Sequence, residues 1–196
     1  MEEKPEIDEY NTDRDFISVD FTDLVLDDIS FENCLFKNCR FESLELADTS
    51  FCDCRFEGCQ IILCKFKNTT LNNIKFSSCK LIGINFTDCN DFGLSPEFSE
   101  SILDSVVIYN KKLENIQIIN CTVKDSDFTE TDFSGSCFSG TNFRNTSFHN
   151  CRLRKSDFLT SSGYEIDPSA NDIRGMKVTL PEAQSFLGFL GLKIEY

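Results

Sequence analysis

Large apolar residues recur at every fifth position along most of the chain. The first run is unbroken from Phe16 to Phe86, and a second run with the same spacing extends from Phe98 to Phe158. Of the 20 phenylalanines, 17 lie on these two runs. An α-helix has a period of 3.6 residues and a β-strand a period of two, so neither element explains a period of five. The pattern predicts an internal repeat.

A second selected position lies two residues before each large one. It holds mostly Cys, Ser, Thr or an aliphatic residue, and the other three positions of each unit are mostly polar. Each unit therefore supplies one large and one small inward side chain. Four units form one square turn of about 20 residues. The backbones of stacked turns pair with each other about 4.8 Å apart, as neighbouring strands do. The predicted fold class is an all-β solenoid, with an acidic tail over 1–15, a coil over 16–163 interrupted by a loop at 90–97, and a C-terminal module over 164–196.

The repeat resembles that of the pentapeptide-repeat family, in which a small residue, Asp or Asn, Leu or Phe, and two polar residues follow one another. Residues 54–58 (Cys-Arg-Phe-Glu-Gly) and 141–145 (Thr-Asn-Phe-Arg-Asn) carry the resemblance, which covers positions 16–158. It implies a right-handed quadrilateral β-helix with a short C-terminal helix-containing cap.

Nine of the 11 cysteines occupy the small inward position. A disulfide framework or a metal site is one interpretation. However, parallel Cβ vectors about 4.8 Å apart exceed the usual Cβ spacing of a disulfide. We therefore expect reduced thiols that act as small hydrophobic residues, which is typical of a cytosol. Cys52 and Cys137 fall outside the inward register, so these two thiols are the candidates for oxidation.

The formal net charge is −14, and residues 1–57 hold 17 acidic and five basic residues. Such a surface repels phosphate and anionic headgroups, so we expect no direct nucleic-acid binding and no membrane binding. The N-terminus shows no secretory pattern, and no apolar stretch has the length of a spanning helix. His149 is the only histidine and lies at an outward position. We expect no catalytic residue, no cofactor and no metal site, and hence no enzyme.

The five-residue register is interrupted between Phe86 and Phe98, which are 12 residues apart. Gly93 and Pro96 indicate a turn there. Phe92 either projects towards a partner or folds back onto the coil, and the sequence leaves both interpretations open. Lys111 stands where a small inward residue is expected and is a second irregularity. The candidate partner-binding residues of the loop are Asp91, Phe92, Leu94 and Glu97.

After Phe158 the repeat stops, and the pattern predicts a strand over 176–178, a helix and a last strand over 192–196. Thr179 and Glu182 fit a capping box at the start of the helix, and Gly191 fits its end. This module covers the open end of the coil. Whether it also pairs with a second copy is left open. The candidate dimer-interface residues are Phe186, Leu187, Phe189 and Leu190.

The interruption in the coil, followed by this C-terminal tail, resembles the Qnr-type quinolone-resistance proteins and the related microcin immunity protein. The resemblance implies a homodimer joined through the C-terminal helices in the bacterial cytoplasm. It also implies a non-enzymatic DNA mimic that binds type II topoisomerase (DNA gyrase or topoisomerase IV) and modulates sensitivity to quinolone-like or peptide poisons. The alternative is a protein–protein interaction scaffold with an unrelated partner and no effect on topoisomerase.

Overall fold

A five-residue unit of this chain forms one side of a square coil. The computed structural model describes residues 6–192, in which 19 short strands wind around a common axis and one helix follows. The central residue of a unit is buried, as the exposed–buried–exposed pattern of Tyr10–Thr12 shows. Most units end at a residue with positive φ, such as Asp13 (55°) or Asn33 (52°). Asp and Asn tolerate this left-handed conformation better than other side chains, which explains the polar corners of the repeat.

All strand pairs within the four sides are parallel. We number the sides in chain order as face 1 to face 4. Face 1 begins with the strands β1 (Tyr10–Thr12), β3 (Ser30–Glu32), β6 (Ser50–Cys52) and β9 (Thr70–Asn72). Face 2 contains β2 (Asp15–Ile17), β4 (Leu35–Lys37), β7 (Arg55–Glu57), β10 (Ile74–Ser77), β12 (Pro96–Ser99) and β15 (Ile118–Ile119).

Faces 3 and 4 complete each turn. Face 3 contains β5 (Arg40–Glu42), β8 (Gln60–Ile62), β11 (Lys80–Ile82), β13 (Ile102–Asp104), β16 (Thr122–Lys124) and β18 (Asn142–Arg144). Face 4 contains β14 (Val107–Tyr109), β17 (Asp127–Thr129) and β19 (Ser147–His149), preceded by single bridges such as that between Glu45 and Lys65. Paired residues lie 20 positions apart, except across the loop, where Phe76 pairs with Phe98.

The phenylalanines fill the inside of the coil as stacked columns. On face 2 the ring centroids of Phe36 and Phe56 are 4.6 Å apart, and those of Phe56 and Phe76 are 5.0 Å apart. The void between the rings of the N-terminal half measures about 10 Å³, which is about the space of one water molecule. The predicted quadrilateral β-helix is therefore confirmed, and its interior is solid.

The small inward side chains donate hydrogen bonds to the turn before. Thr49 Oγ1 donates to the carbonyl of Leu26 (2.5 Å), and Cys39 Sγ donates to that of Phe16 (3.2 Å). The separation is 23 residues in both pairs, and it recurs along the coil. This geometry explains why Cys, Ser and Thr are selected at this position. All 11 cysteines are free thiols, and the nine inward ones are buried.

Both ends of the coil differ from the predicted boundaries. Strand β1 lies inside the expected tail of residues 1–15, and Asn11 takes the buried central position five residues before Phe16. Beyond residue 163 the backbone still pairs with the previous turn, through Asp172 with Arg152 and Lys177 with Asp157. The boundaries were misplaced because backbone pairing continues where the side chains leave the repeat pattern.

The C-terminal module is simpler than its sequence pattern predicts. The helix α1 (Leu180–Phe189) begins after Thr179, whose side chain makes no capping hydrogen bond, so the capping box is wrong. The predicted strand over 176–178 is reduced to the single bridge at Lys177. Gly191 has a φ of 72° directly after the helix, as its predicted role as a stop requires. The last predicted strand, over 192–196, lies outside the described residues except for Leu192.

Candidate partner-binding surfaces

The two extra residues of the loop lie on face 1 and displace its chain outwards. Leu94 takes the central position that residue 91 would have held, and it forms an antiparallel bridge with Asn72. Residues 91–93 project, and 89 % of Phe92 is exposed. Of the two interpretations left open by the sequence, the projecting Phe92 is therefore the one found, and the folded-back Phe92 is wrong.

The other candidate residues of the loop are placed differently. Leu94 is buried in the core, so it supports the loop from below and is not available to a partner. Glu97 belongs to β12 and lies 3.5 Å from Lys75 in an ion pair. Asp91 and Phe92 are thus the most exposed of the four candidates, and the Glu97 side chain stays partly exposed.

Lys111 fixes the loop from inside the coil. Its side chain is only 6 % exposed, and its Nζ donates to the carbonyl of Cys89 (2.8 Å) and to Oδ1 of Asp91 (2.5 Å). A Ser or Thr at this position is too short to reach the displaced loop, whereas the lysine stem spans the gap. The sequence marked Lys111 as irregular, but its partner could be found only from the loop conformation.

Acidic residues concentrate at the N-terminal half of the coil. Residues 6–57 contain 15 acidic and four basic residues, a net charge of −11. We call five aspartates on faces 3 and 4 the N-terminal acidic surface. Only Asp20 among them forms an ion pair with a described residue, and this pair with Arg40 is long, at 3.9 Å. The five are Asp20, Asp23, Asp27, Asp28 and Asp48.

Neutral donors hold several carboxylates of the coil in place. Asn68 Nδ2 donates to Asp48 Oδ1 (3.1 Å), and the backbone N–H of Ala47 donates to Asp27 Oδ1 (3.1 Å). The hydrogen bonds from Thr22 lower the pKa of Asp20. Because an amide or hydroxyl donor carries no charge, it orders the carboxylate without neutralising it. The result is a rigid array of negative charges.

Helix α1 covers the C-terminal end of the coil only partly. Tyr164 is buried against Phe158, with ring centroids 5.1 Å apart, and Phe186 lies over Tyr164 at 6.3 Å. Burial raises the pKa of Tyr164 to about 12. Phe189 and Leu190, by contrast, are 47 % and 63 % exposed. The candidate interface therefore divides into a capping residue, Phe186, a half-buried Leu187 and an exposed apolar pair, Phe189 and Leu190.

The surface offers shallow depressions and no clustered chemistry. A depression of about 530 Å³ beside the loop is lined by charged side chains that mostly pair with one another, such as Arg152 with Asp132 at 3.4 Å. A second, of about 550 Å³, contains His149 beside α1. Within residues 6–192 no group of three or more His, Cys, Asp or Glu side chains is arranged to hold a metal ion. The same residues include no helix of the length and apolarity needed to cross a bilayer.

These observations define a class of protein, a four-sided β-helix built from five-residue repeats. Two models of this class match the chain, a pentapeptide repeat region at residues 29–91 and an eight-copy model of pentapeptide repeats at residues 113–158. The chain belongs to the pentapeptide-repeat family. The first match ends at Asp91, where the projecting loop begins, and the second lies beyond the loop.

Solved structures of QnrB1, described as a plasmid-mediated fluoroquinolone resistance protein, share this fold. One trypsin-treated variant is 19 % identical and has a TM-score of 0.69, with 96 % of this chain and 92 % of that chain covered. A second is 18 % identical with a TM-score of 0.62, covering 95 % of this chain and all of that one. A comparison with curated protein sequences found no match. At these identities the likeness establishes the fold.

Proposed function

We propose that this chain is a non-enzymatic DNA mimic of the bacterial cytoplasm that binds type II topoisomerase and modulates its sensitivity to quinolone-like or peptide poisons. The N-terminal acidic surface is the observation that carries the proposal. Its five aspartates lie in a region of net charge −11, residues 6–57, and neutral donors hold several of their carboxylates in position. The shared fold with a fluoroquinolone resistance protein along nearly the whole chain supports it.

A DNA-binding groove recognises regularly spaced negative charge on a stiff rod. The turns of the coil are stacked at the spacing of neighbouring strands, about 4.8 Å, so carboxylates at one corner recur at multiples of this distance. Asp28 and Asp48 are such a pair, one turn apart on face 4. The filled core keeps the rod stiff, and this rigidity is what a mimic of duplex DNA requires.

The loop supplies a contact that DNA lacks. Phe92 is a large apolar side chain held away from the coil, and exposed aromatic residues of this kind often dominate the binding energy of protein interfaces. Lys111 fixes the start of the loop through its hydrogen bond with Asp91. In the proposed complex the acidic surface gives long-range attraction, and Phe92 gives a specific contact with the topoisomerase.

We also propose that the chain is a homodimer joined through α1. Phe189 and Leu190 form an exposed apolar pair at the end of the coil, next to Leu192, which is also exposed. A second copy would cover these side chains and extend the rod at its C-terminal end.

A supercoiling assay of purified DNA gyrase with ciprofloxacin tests the proposal. We expect the protein to rescue or inhibit supercoiling at micromolar concentration. The triple variant Asp27→Asn, Asp28→Asn, Asp48→Asn should lose most of the effect. A matched variant with the same charge change in the C-terminal half, Asp125→Asn, Asp127→Asn, Glu130→Gln, should keep it. An assay in which the wild-type protein changes nothing contradicts the proposal.

The alternative is an interaction scaffold with an unrelated partner, and the short loop favours it, since only two residues are inserted. Affinity capture from a bacterial lysate distinguishes the two functions when wild type and the acidic-surface triple variant are compared. Topoisomerase subunits lost from the variant support the mimic. A different protein captured by wild type and lost from Phe92→Ala supports the scaffold.

A further inference from the structure

Face 1 carries opposite charges on the two sides of its loop. The unit of Leu94 lies at its midpoint, with four units before it, centred on Asn11, Phe31, Phe51 and Leu71, and four after it, centred on Leu113, Phe133, Leu153 and Ile173. The four units before the loop contain four acidic residues and no basic one, Glu9, Asp13, Glu32 and Asp53. The four units after it contain three acidic residues and, besides the buried Lys111, five exposed basic residues, Lys112, Arg152, Arg154, Lys155 and Arg174.

We propose that face 1 binds face 1 of a second copy of this chain, with the two coils antiparallel. The two copies are related by a two-fold axis that lies between the faces, at Leu94, and runs along the strand direction. This axis places the acidic half of one copy opposite the basic half of the other. The same patch then serves both partners, as a two-fold interface requires. This surface is distinct from the helix pair Phe189 and Leu190.

The symmetry fixes which residues meet. Counted along the coil axis, each face-1 unit occupies one turn, which we call a level. The units of Phe31 and Leu153 both lie three levels from Leu94, on opposite sides of it, so they face each other. The residue after each centre is exposed, and Glu32 of one copy therefore faces Arg154 of the other. Glu32 forms no ion pair with the described residues of its own chain, whereas Arg154 shares Asp172 with Arg174.

The remaining levels are compatible with the same arrangement. Thr70 faces Lys112 of the second copy, and Asn72 faces its Glu114, so each charge meets a side chain able to bond it. At the eight levels before and after the loop the residues directly opposed avoid like charges, and at the loop level the two Asp91 side chains that meet are each paired with Lys111 of their own copy. If the coils were parallel instead, each unit would face the same unit of the second copy with its strand direction reversed. Arg152 would then face Arg154. Like charges brought together across an interface are costly, so the antiparallel arrangement is favoured.

The loop lies on the two-fold axis. Phe92 of one copy meets Phe92 of the other there, which places an apolar contact at the centre of a charged rim. Nine levels at about 4.8 Å and a face about 15 Å wide give roughly 600 Å² per partner, below the about 800 Å² of a standard interface. The dimer is therefore weak and depends on salt.

Sedimentation equilibrium tests this proposal in the double variant Phe189→Asp, Leu190→Asp, which removes the helix contact. We expect a dimer at low salt that dissociates at high salt. Because the Glu32–Arg154 contact occurs twice, Arg154→Glu should weaken the dimer at least about tenfold, and adding Glu32→Arg should restore it.

Lys67→Glu is the matched control, since Lys67 is exposed on face 4 and has no ion pair among the described residues. It should leave the dimer unchanged. A protein that stays monomeric at low salt overturns the proposal, as does an Arg154→Glu variant that dimerises normally or a charge swap that fails to restore the dimer.

Discussion

The ammonium group of Lys111 lies 2.5 Å from the carboxylate of Asp91, and this ion pair joins a buried position of the coil to its projecting loop. The pair is asymmetric, because Lys111 is buried and Asp91 is exposed. Removing the carboxylate leaves a buried charge without its counter-ion, whereas removing the lysine charge leaves an exposed acid in water. Replacing Asp91 should therefore lower the free energy of unfolding more than replacing Lys111.

We predict that Asp91→Asn lowers the free energy of unfolding by about 1–3 kcal/mol, because the buried ammonium group of Lys111 loses its counter-ion, and that Lys111→Met changes it by less than about 1 kcal/mol. Both variants should expose the loop to faster proteolysis. Urea unfolding and limited proteolysis measure the two effects. Asp88→Asn, an exposed acid with no ion pair among the described residues, is the control. Equal losses in Asp91→Asn and Asp88→Asn would show that the ion pair does not hold the loop.

Truncating a buried and an exposed phenylalanine should change the free energy of unfolding by very different amounts. Phe56 is stacked between Phe36 and Phe76, so Phe56→Ala should cost about 3–5 kcal/mol of unfolding free energy. Phe92→Ala should cost less than about 0.5 kcal/mol, because its ring is exposed. Chemical denaturation of both variants measures this. A small loss for Phe56→Ala would mean that the inward register is wrong.

Thiol labelling should separate two cysteines from the other nine. Burial raises the pKa of Cys54 to about 12 and that of Cys151 to about 11, so the reactive thiolate is scarce at neutral pH as well as inaccessible. Cys52 and Cys137 are partly exposed. We expect two thiols to react rapidly with a maleimide in the native protein, and all 11 after denaturation. Mass spectrometry counts the labels, and rapid modification of Cys54 would contradict the packing.

The end of the coil gives a prediction about assembly. Phe189→Asp with Leu190→Asp should reduce the dimer proposed through α1 to a monomer at high salt, with little loss of stability, since both side chains are exposed. Leu180→Asp, exposed at the other end of the helix, should leave the mass unchanged. Light scattering reports the mass. Phe186→Asp should instead destabilise the protein, because Phe186 lies on Tyr164. A double variant of unchanged mass would mean that α1 serves only as a cap.

Much of this architecture can be predicted from the spacing of side chains. Phe16, Phe36 and Phe56 lie 20 residues apart, and this spacing alone places them in one column. The ends of the coil could not be placed in this way. Asn11 occupies a central position without being apolar, and Tyr164 closes the core outside the register. Backbone pairing continues through both regions, and it leaves no periodic signal in the side chains.

The candidate surfaces were predicted less completely. The interruption of the repeat located the loop, but whether Phe92 projects or folds back depends on Leu94, which takes the central position in its place. The role of Lys111 depends on the same displacement. Charge counts located the acidic surface. The donors that order its carboxylates, such as Asn68, follow from the stacking of turns.

Displacement of DNA from gyrase tests the central claim most directly. Fluorescence anisotropy of a labelled DNA duplex bound to gyrase holoenzyme would be followed as this protein is added. A DNA mimic should lower the anisotropy to that of free DNA, and the triple variant Asp27→Asn, Asp28→Asn, Asp48→Asn should require a much higher concentration. An anisotropy that stays constant, or that rises because protein and DNA bind together, would contradict the account.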